Sequence, residues 1–268
     1  MSTNLLAALM ASAARAAHQR EVTNGPAVHE AAARRVPNGA AFRTSLTGPG
    51  LNIIAECKRR SPSRGILRHP YDPATIAAGY ASAGAAAISV ITENTFFDGS
   101  LDDLAAVRAR VDIPLLRKDF VSSSFQLTEA RASGADAVLL IVAGLDAETL
   151  ARLIREATQL GLATLVEVHS RAELLTAIGV GADLIGVNSR NLRTLDVDVR
   201  LLDEMVLGIP AGVIAVAESG LRSREDLTRL RNAGFDAFLI GERFMTAPDP
   251  GAALAEMLAR PEGSRGVR

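Results

Sequence analysis

Two lysines, Lys58 and Lys118, stand among the 29 cationic side chains of this chain. Each closes a short apolar run, Asn52-Ile-Ile-Ala-Glu-Cys-Lys58 and Ile113-Pro-Leu-Leu-Arg-Lys118. Arginine holds its proton under nearly all conditions, whereas a desolvated lysine can release one. An ammonium at the end of two strands, in a chain otherwise covered with arginine, is equipped for proton transfer. The competing reading is compositional bias with two surface lysines, and the neighbouring residues weigh against it. Glu56 precedes Lys58 by two, so on a strand both point to one side. Polar groups close other apolar runs: Asp119 after Lys118, Glu167 in Leu162–Val168, Asn188 after Leu184-Ile-Gly-Val, Glu218 after Ala217, and Glu242 after Phe238-Leu-Ile-Gly241. Ionisable groups at the ends of apolar strands are costly unless they pair or work. Repeated at equivalent places, they point to acid–base chemistry on a small molecule.

Other residues suit an anion. The loop Arg59-Arg-Ser61-Pro-Ser-Arg-Gly65 offers hydroxyls and cations for phosphate or carboxylate, with Arg60 read as a surface cation. Ser219-Gly220 and Gly241-Glu242 follow the last two apolar runs, where glycine lets backbone N–H groups approach an anion. The net charge of −1, with no long run of one sign, excludes an electrostatic footprint for nucleic acid. Cys57 is the only cysteine, so no internal disulfide can form. Strand alternation turns it away from the face of Glu56 and Lys58, and it is read as packing. His18, His29, His69 and His169 are scattered without ligand spacing and are expected to be exposed or locally hydrogen-bonded.

These groups need a scaffold that brings strand ends together. Apolar runs begin near Ile53, Ala87, Ile113, Ala137, Ala163, Leu184, Val213 and Ala237. Helical patterns lie between and after them: Pro73–Ser82, Leu101–Arg110, Ser123–Ser133, Ala147–Leu160, Ala172–Ile178, Arg200–Met205, Arg224–Asn232 and Gly251–Ala259. Runs such as Ala137–Val142 are apolar on both faces, as buried parallel strands are. Gly134-Ala-Asp136 and Gly181-Ala-Asp183 close helices and lead into strands as a weak internal repeat. Eight strands alternating with eight helices predict an α/β fold, a (β/α)8 (TIM) barrel with an N-terminal helical extension. A doubly wound open sheet is the alternative. With 268 residues, 48% of them hydrophobic, the chain carries apolar material for one large core. Residues 1–50 are expected to pack on the barrel as an extension, 51–260 to form it, and 261–268 to be a flexible tail. Within the extension, Leu5–Met10 reads as an amphipathic helix and Thr23–Pro37, lacking a clear period, as a loop. No apolar stretch approaches the roughly 18–20 residues of a membrane span, and a cytoplasmic protein is expected.

The segments Ile54–Gly65, Phe97–Leu101, Leu116–Phe120, Leu165–Val168, Ile185–Leu192, Ala217–Gly220 and Leu239–Gly241 together resemble those of indole-3-glycerol-phosphate synthase, in that family's order and spacing. The resemblance implies a carboxy-lyase that closes the ring of 1-(2-carboxyphenylamino)-1-deoxyribulose 5-phosphate, releasing carbon dioxide and water. It implies Lys118 as the acid that activates the ketone and Glu167 as base or as stabiliser of a developing anilinium. Lys58, partnered by Glu56, holds substrate and serves as the acid of dehydration, and Asn188 holds sugar hydroxyls. Phe120 with Phe96 or Phe97 is expected to sandwich the aromatic ring. Arg190 is left with two roles, binding the carboxylate or orienting Glu56. Glu218 contacts the substrate hydroxyls or stands behind them. Ser61, Ser219, Gly220, Leu239, Gly241 and Glu242 complete the substrate-binding set. Cys57, Arg64 and Glu242 depart from the residues common in the family, and the last leaves its side-chain role open. Neither metal nor organic cofactor is implied. The expected partner is the phosphorylated substrate, without nucleic acid or membrane, and the protein is expected to be a monomer or weak homo-oligomer. A neighbouring barrel enzyme, phosphoribosylanthranilate isomerase, and a non-catalytic phosphometabolite binder remain as alternatives.

Overall fold

The computed structural model describes residues 5–191 and 194–259. Its strands are β1 (Asn52–Cys57), β2 (Arg60–Ser61), β3 (Gly65–Ile66), β4 (Ala87–Ile91), β5 (Leu115–Lys118), β6 (Ala137–Ile141), β7 (Ala163–Val168), β8 (Leu184–Asn188), β9 (Ile214–Glu218) and β10 (Ala237–Ile240). Its helices are α1 (Leu5–Ala33), α2 (Gly39–Ser45), α3 (Pro73–Ser82), α4 (Leu101–Arg110), α5 (Ser124–Ser133), α6 (Ala147–Gln159), α7 (Arg171–Gly179), α8 (Arg200–Val206), α9 (Arg224–Ala233), α10 (Glu242–Met245) and α11 (Pro250–Leu258). Strands β1 and β4 to β10 are all parallel and close into a barrel, with β1 pairing both β4 and β10. The (β/α)8 barrel is therefore the fold, and the open sheet is excluded. The short antiparallel pair β2–β3 and the four-residue α10 carry too few residues for a periodic signal and escape a reading of the sequence.

Alternation along the strands divides the apolar residues into two cores. Ile53, Ala55, Cys57, Ile88, Val90, Leu140 and Val166 point outward and pack under the helices. Ile54, Leu116, Leu139, Leu165, Val216 and Leu239 point inward and fill the lumen. Strands buried on both faces show no alternation in sequence because both environments are apolar. At two of the helix-to-strand junctions the aspartate has a structural task, whereas Asp183 of the second Gly-Ala-Asp lies 3.8 Å from Arg43 instead. The carboxylate of Asp136 accepts the N–H of Leu115 at 3.0 Å, and the related Asp236 accepts that of Ala215 at 2.9 Å. Each aspartate thus ties the start of its strand to the start of the preceding one.

The extension spans the barrel from mouth to floor. Its 29 residues make a helix about 43 Å long at 1.5 Å per residue. Leu6, Leu9 and Ala13 pack with Phe120 and Ile141 near the strand ends, while Phe42 and Leu46, in and just after α2, close the opposite end. The expectation of a loop over Thr23–Pro37 is wrong: α1 continues through Ala33 despite Pro26. Proline removes one helical hydrogen bond and disfavours the helix interior, but tertiary contacts outweigh it. Arg20 pairs with buried Glu129 on α5, the His29 ring meets Phe125 at 6.2 Å, and Arg35 reaches Asp136 at 3.1 Å. The expected tail 261–268 lies outside the described residues.

One buried cluster ties the extension to the catalytic face. Arg117 is fully buried, donating to Asp119 at 2.8 Å, Glu129 at 3.4 Å and the Gln126 carbonyl at 2.7 Å. Removing one partner of a buried ion pair leaves the others uncompensated. Arg117→Met is expected to lower unfolding free energy by about 3–5 kcal/mol, measured by urea denaturation. A loss within error of zero would show the cluster to be dispensable.

Candidate active site

The inward positions at the carboxyl ends of the strands converge on a cavity of about 660 Å³. Glu56, Lys118, Glu167, Asn188 and Glu218 line it from β1, β5, β7, β8 and β9, with Lys58 one residue beyond β1. Ser61, Phe120, Arg190, Ser219, Gly220, Leu239, Gly241 and Glu242 line the same space. The apolar lumen below excludes water, so the charged heads stand on a dry floor and act on one another strongly.

The two lysines face different carboxylates. Lys58 Nζ donates to Glu56 Oε1 at 2.6 Å. Lys118 Nζ donates to Glu167 Oε2 at 3.2 Å and lies 3.6 Å from Glu218 Oε2. Burial by itself lowers the pKa of Lys118, but Glu167, Glu218 and Glu56 overcome it and hold the ammonium charged. Burial likewise opposes ionisation of Glu167, yet Lys118 and His169 keep it well below the usual carboxylate range. Glu218 goes the other way. Burial and then the nearby charge of Glu167 push it up to about 8, against the pull of Lys118. The two carboxyls of the pair are thus driven apart, Glu167 toward the ionised form and Glu218 toward the protonated one. Glu56 remains ionised despite burial because both lysines act on it.

Two glycines make room for these carboxylates. A Cβ on Gly186 falls 2.2 Å from Glu218 Oε1, and one on Gly241 falls 2.5 Å from Glu56 Oε1. Gly186→Ala is expected to fold, since the neighbouring strand contacts persist, while displacing Glu218. A misplacement on the order of 1 Å costs about 100-fold in rate, and kcat is expected to fall by that order with the circular dichroism unchanged. Wild-type kcat in this variant would remove Glu218 from the chemistry.

At the rim, Glu242 accepts from Arg64 at 3.0 Å and from Arg190 at 3.3 Å. Arg190 also donates to the Leu195 carbonyl at 3.0 Å. Of its two expected roles, orienting Glu56 finds no support, because Glu56 is paired with Lys58. The backbone N–H of Arg190 donates to Asn188 Oδ1 at 3.0 Å, which fixes the carboxamide. Ser219 and Gly220 have φ of 67° and 73°. A left-handed serine is strained, and such strain gathers at binding turns. Arg60 is exposed and 3.6 Å from Asp98. Phe97 rather than Phe96 lines the cavity. Its centroid is 6.2 Å from that of Phe120, a direct ring contact, so the two form one aromatic wall and not the faces of a sandwich.

Several residues escaped the sequence reading. Buried Glu93, just past β4, accepts the N–H groups of Thr95, Phe96 and Phe97 and so shapes the turn that presents Phe97. Its position beyond an apolar run was the available signal. Leu5 and Leu9 bring α1 to the cavity wall. His169 is not an isolated histidine: it stands 3.3 Å from Glu167 and 3.3 Å from Glu173. Cys57 is buried, and burial pushes its thiol up, as a packing role requires.

Acid–base pairs over a dry barrel floor, next to glycine turns on the last two strands, place this chain among the (β/α)8 enzymes that act on small phosphorylated molecules. The family model described as indole-3-glycerol phosphate synthase matches residues 6–257. A protein of that name from Parafrankia sp. (strain EAN1pec) is 51% identical over 84% of this chain and 84% of its own. One from Mycobacteroides abscessus is 47% identical, covering 89% of this chain and 88% of its own. The thiamine phosphate pyrophosphorylase of Pyrococcus furiosus superimposes with a TM-score of 0.59 at 20% identity, over 77% of this chain and 93% of its own, and shares the fold alone. The chain belongs to the indole-3-glycerol phosphate synthase family. Its activity is the decarboxylating, dehydrating ring closure that produces indole-3-glycerol phosphate in tryptophan biosynthesis. Among the described residues, no helix is long and apolar enough to cross a membrane.

Proposed function

We propose that Lys118, Glu167, Lys58, Glu56 and Asn188 carry the ring closure of 1-(2-carboxyphenylamino)-1-deoxyribulose 5-phosphate. The observation that supports this most is the placement of both ammonium groups and three buried carboxylates in one cavity. Lys118 meets the ketone oxygen as a full ammonium. When the ring carbon that bears the carboxylate attacks the ketone, the new alkoxide is far more basic than an amine and takes the proton from Lys118. Glu167 faces the anilinium that develops at the same moment and stabilises it by charge. Cations on both of its oxygens make it a poor base in the resting enzyme, which favours the stabilising role. Loss of carbon dioxide restores the aromatic ring. Lys58, held by Glu56, then protonates the departing hydroxyl, which leaves as water, and the Lys118 amine left by the first step takes the further proton whose loss completes the indole; Lys58 regains its proton from solvent. Asn188 holds hydroxyls of the open sugar chain, and Glu218 supports them as a hydrogen-bond donor.

The phosphate is assigned to the turns Ser219-Gly220 and Gly241-Glu242. The first N–H groups of α10 lack acceptors within the helix, and the glycines allow close approach. Arg190 and Arg64 complete the rim, with Ser61 and Leu239 as further substrate contacts. The Glu242 carboxylate occupies both arginines until an anion arrives. Glu242→Gln is accordingly expected to lower KM for the phosphorylated substrate about two- to fivefold, the scale of one exposed ion pair. An unchanged or higher KM would assign Glu242 a different task.

Incubation with the carboxyphenylamino sugar should give indole fluorescence with matching release of carbon dioxide. Turnover of phosphoribosylanthranilate instead would assign the isomerase reaction. Binding of product without turnover of either would leave a non-catalytic binder. The biosynthetic role supports a cytoplasmic setting. Among the described residues the large exposed apolar side chains Val22, Val36, Ile66, Leu175 and Leu207 are far apart in the sequence, and Val197 and Val199 form one small pair, which supports a monomer or weak homo-oligomer; sedimentation velocity tests this.

A further inference from the structure

The residue that follows β7 is a histidine placed between two carboxylates. Glu167 and His169 are two apart, so strand alternation turns both side chains to one face, where Glu167 lines the cavity and His169 stands beside it. His169 Nε2 is buried, makes no aligned hydrogen bond and faces Glu167 Oε1 at 3.3 Å. Its Nδ1 lies 3.3 Å from Glu173 Oε2, and the same oxygen accepts the backbone N–H of His169 at 2.8 Å. Glu173 is in turn fixed by the start of α7, where Ser170 Oγ donates to its Oε1 at 3.1 Å and caps its N–H at 3.3 Å. The helix cap therefore sets the carboxylate, the carboxylate sets the imidazole, and the imidazole meets the outer oxygen of Glu167. Lys118 meets the other oxygen.

We propose that His169 is a positioning residue for ring closure, a cationic clamp that fixes Glu167 through Oε1 while Lys118 leaves Oε2 for the substrate ketone. The inference rests on the role assigned to Glu167 above. A neutral imidazole has one N–H, and between two carboxylates its bare nitrogen faces negative charge; only the imidazolium serves both. Burial works against that charge, but Glu167 and Glu173 prevail and push the pKa up to about 10. Among the described residues, the charges that act on Glu167 are Lys118 from β5, Glu218 from β9 and His169 itself, with Glu56 from β1 acting in turn on Lys118. Without the clamp, the carboxylate is free to follow Lys118 toward the substrate and to take its proton. With it, the acid and the charge stabiliser stay on separate atoms of the reaction.

Three variants test the clamp: His169→Gln, Glu173→Gln and the double variant, each with kcat and KM measured across pH. For His169→Gln, kcat is expected to fall about 10- to 100-fold, the cost of a misplaced catalytic group, with KM within about twofold. Its acid limb is expected to move to higher pH, because Glu167 has lost one of two cations. Glu173→Gln keeps the imidazole but lowers its pKa, so kcat is expected to fall with rising pH earlier than in the wild type. The double variant is expected to match His169→Gln, since Glu173 acts through the ring. An acid limb that does not move, or additive losses, would overturn the clamp and leave His169 a packing residue. Carbon-13 labelling of the glutamate carboxyls gives a reading independent of turnover. The Glu167 titration should shift upward in His169→Gln, and an unshifted titration overturns the proposal even if activity falls. Wild-type protein that does not turn over the substrate would instead count against the assigned roles, which separates the two failures.

Discussion

Lys118→Arg is expected to fold as the wild type does and to lose about 100- to 1000-fold in kcat, the typical cost of one well-placed charge-stabilising donor. The substitution keeps the positive charge among Glu167, Glu218 and Glu56, so no buried carboxylate is left uncompensated. What changes is the acid. A guanidinium does not release its proton in this range, and its planar fork pairs with a carboxylate through two parallel bonds. With Glu167 already 3.2 Å from the present ammonium, arginine is expected to lock onto that carboxylate rather than reach the ketone. Lys118→Ala is a poorer test, because it removes the counter-charge and destabilises the site as well as the chemistry. Thermal unfolding of Lys118→Arg establishes the fold, and the fluorescence of the product measures turnover. Near-wild-type turnover would refute proton donation by Lys118.

Glu167→Gln is expected to leave a folded protein with kcat reduced about 100- to 1000-fold and with product affinity within a few-fold of wild type by calorimetry. The amide keeps the shape of the side chain but offers no charge to a developing anilinium. Its effects should extend to the neighbours: Lys118 loses its main counter-charge, and Glu218 loses the repulsion that helps raise its pKa. Equal loss of binding and activity would mean that Glu167 positions substrate rather than stabilising the reaction. The variant also has a signature in stability. The pKa of Glu167 is depressed in the folded protein, so its contribution is present above the ordinary glutamate range and is lost as pH falls through the depressed value. Glu167→Gln lacks that contribution, and its stability should decline less steeply over that acid window.

Strand period and spacing along the chain are enough to specify the barrel and to put most of the polar residues that line the cavity at one rim. Eight apolar runs of strand length, separated by helical patterns, have few ways to bury both faces of a parallel sheet. A polar residue at the end of such a run must then lie at one rim, which is why Glu56, Lys118, Glu167, Asn188 and Glu218 were legible one strand at a time. Tertiary structure alone decided what these groups do to one another. Register and closure put Lys118 between Glu167 and Glu218 and not in contact with Glu56, and so push the pKa values of two chemically identical side chains in opposite directions. The long helix through Pro26 belongs to the same category, since its stability comes from Glu129, Phe125 and Asp136, all about a hundred residues distant. So does the placement of His169, whose meaning depends on a capped carboxylate four residues on and a lysine on another strand. Periodicity is a local property and can be read along the chain; electrostatic coupling depends on distances across the barrel, which closure sets.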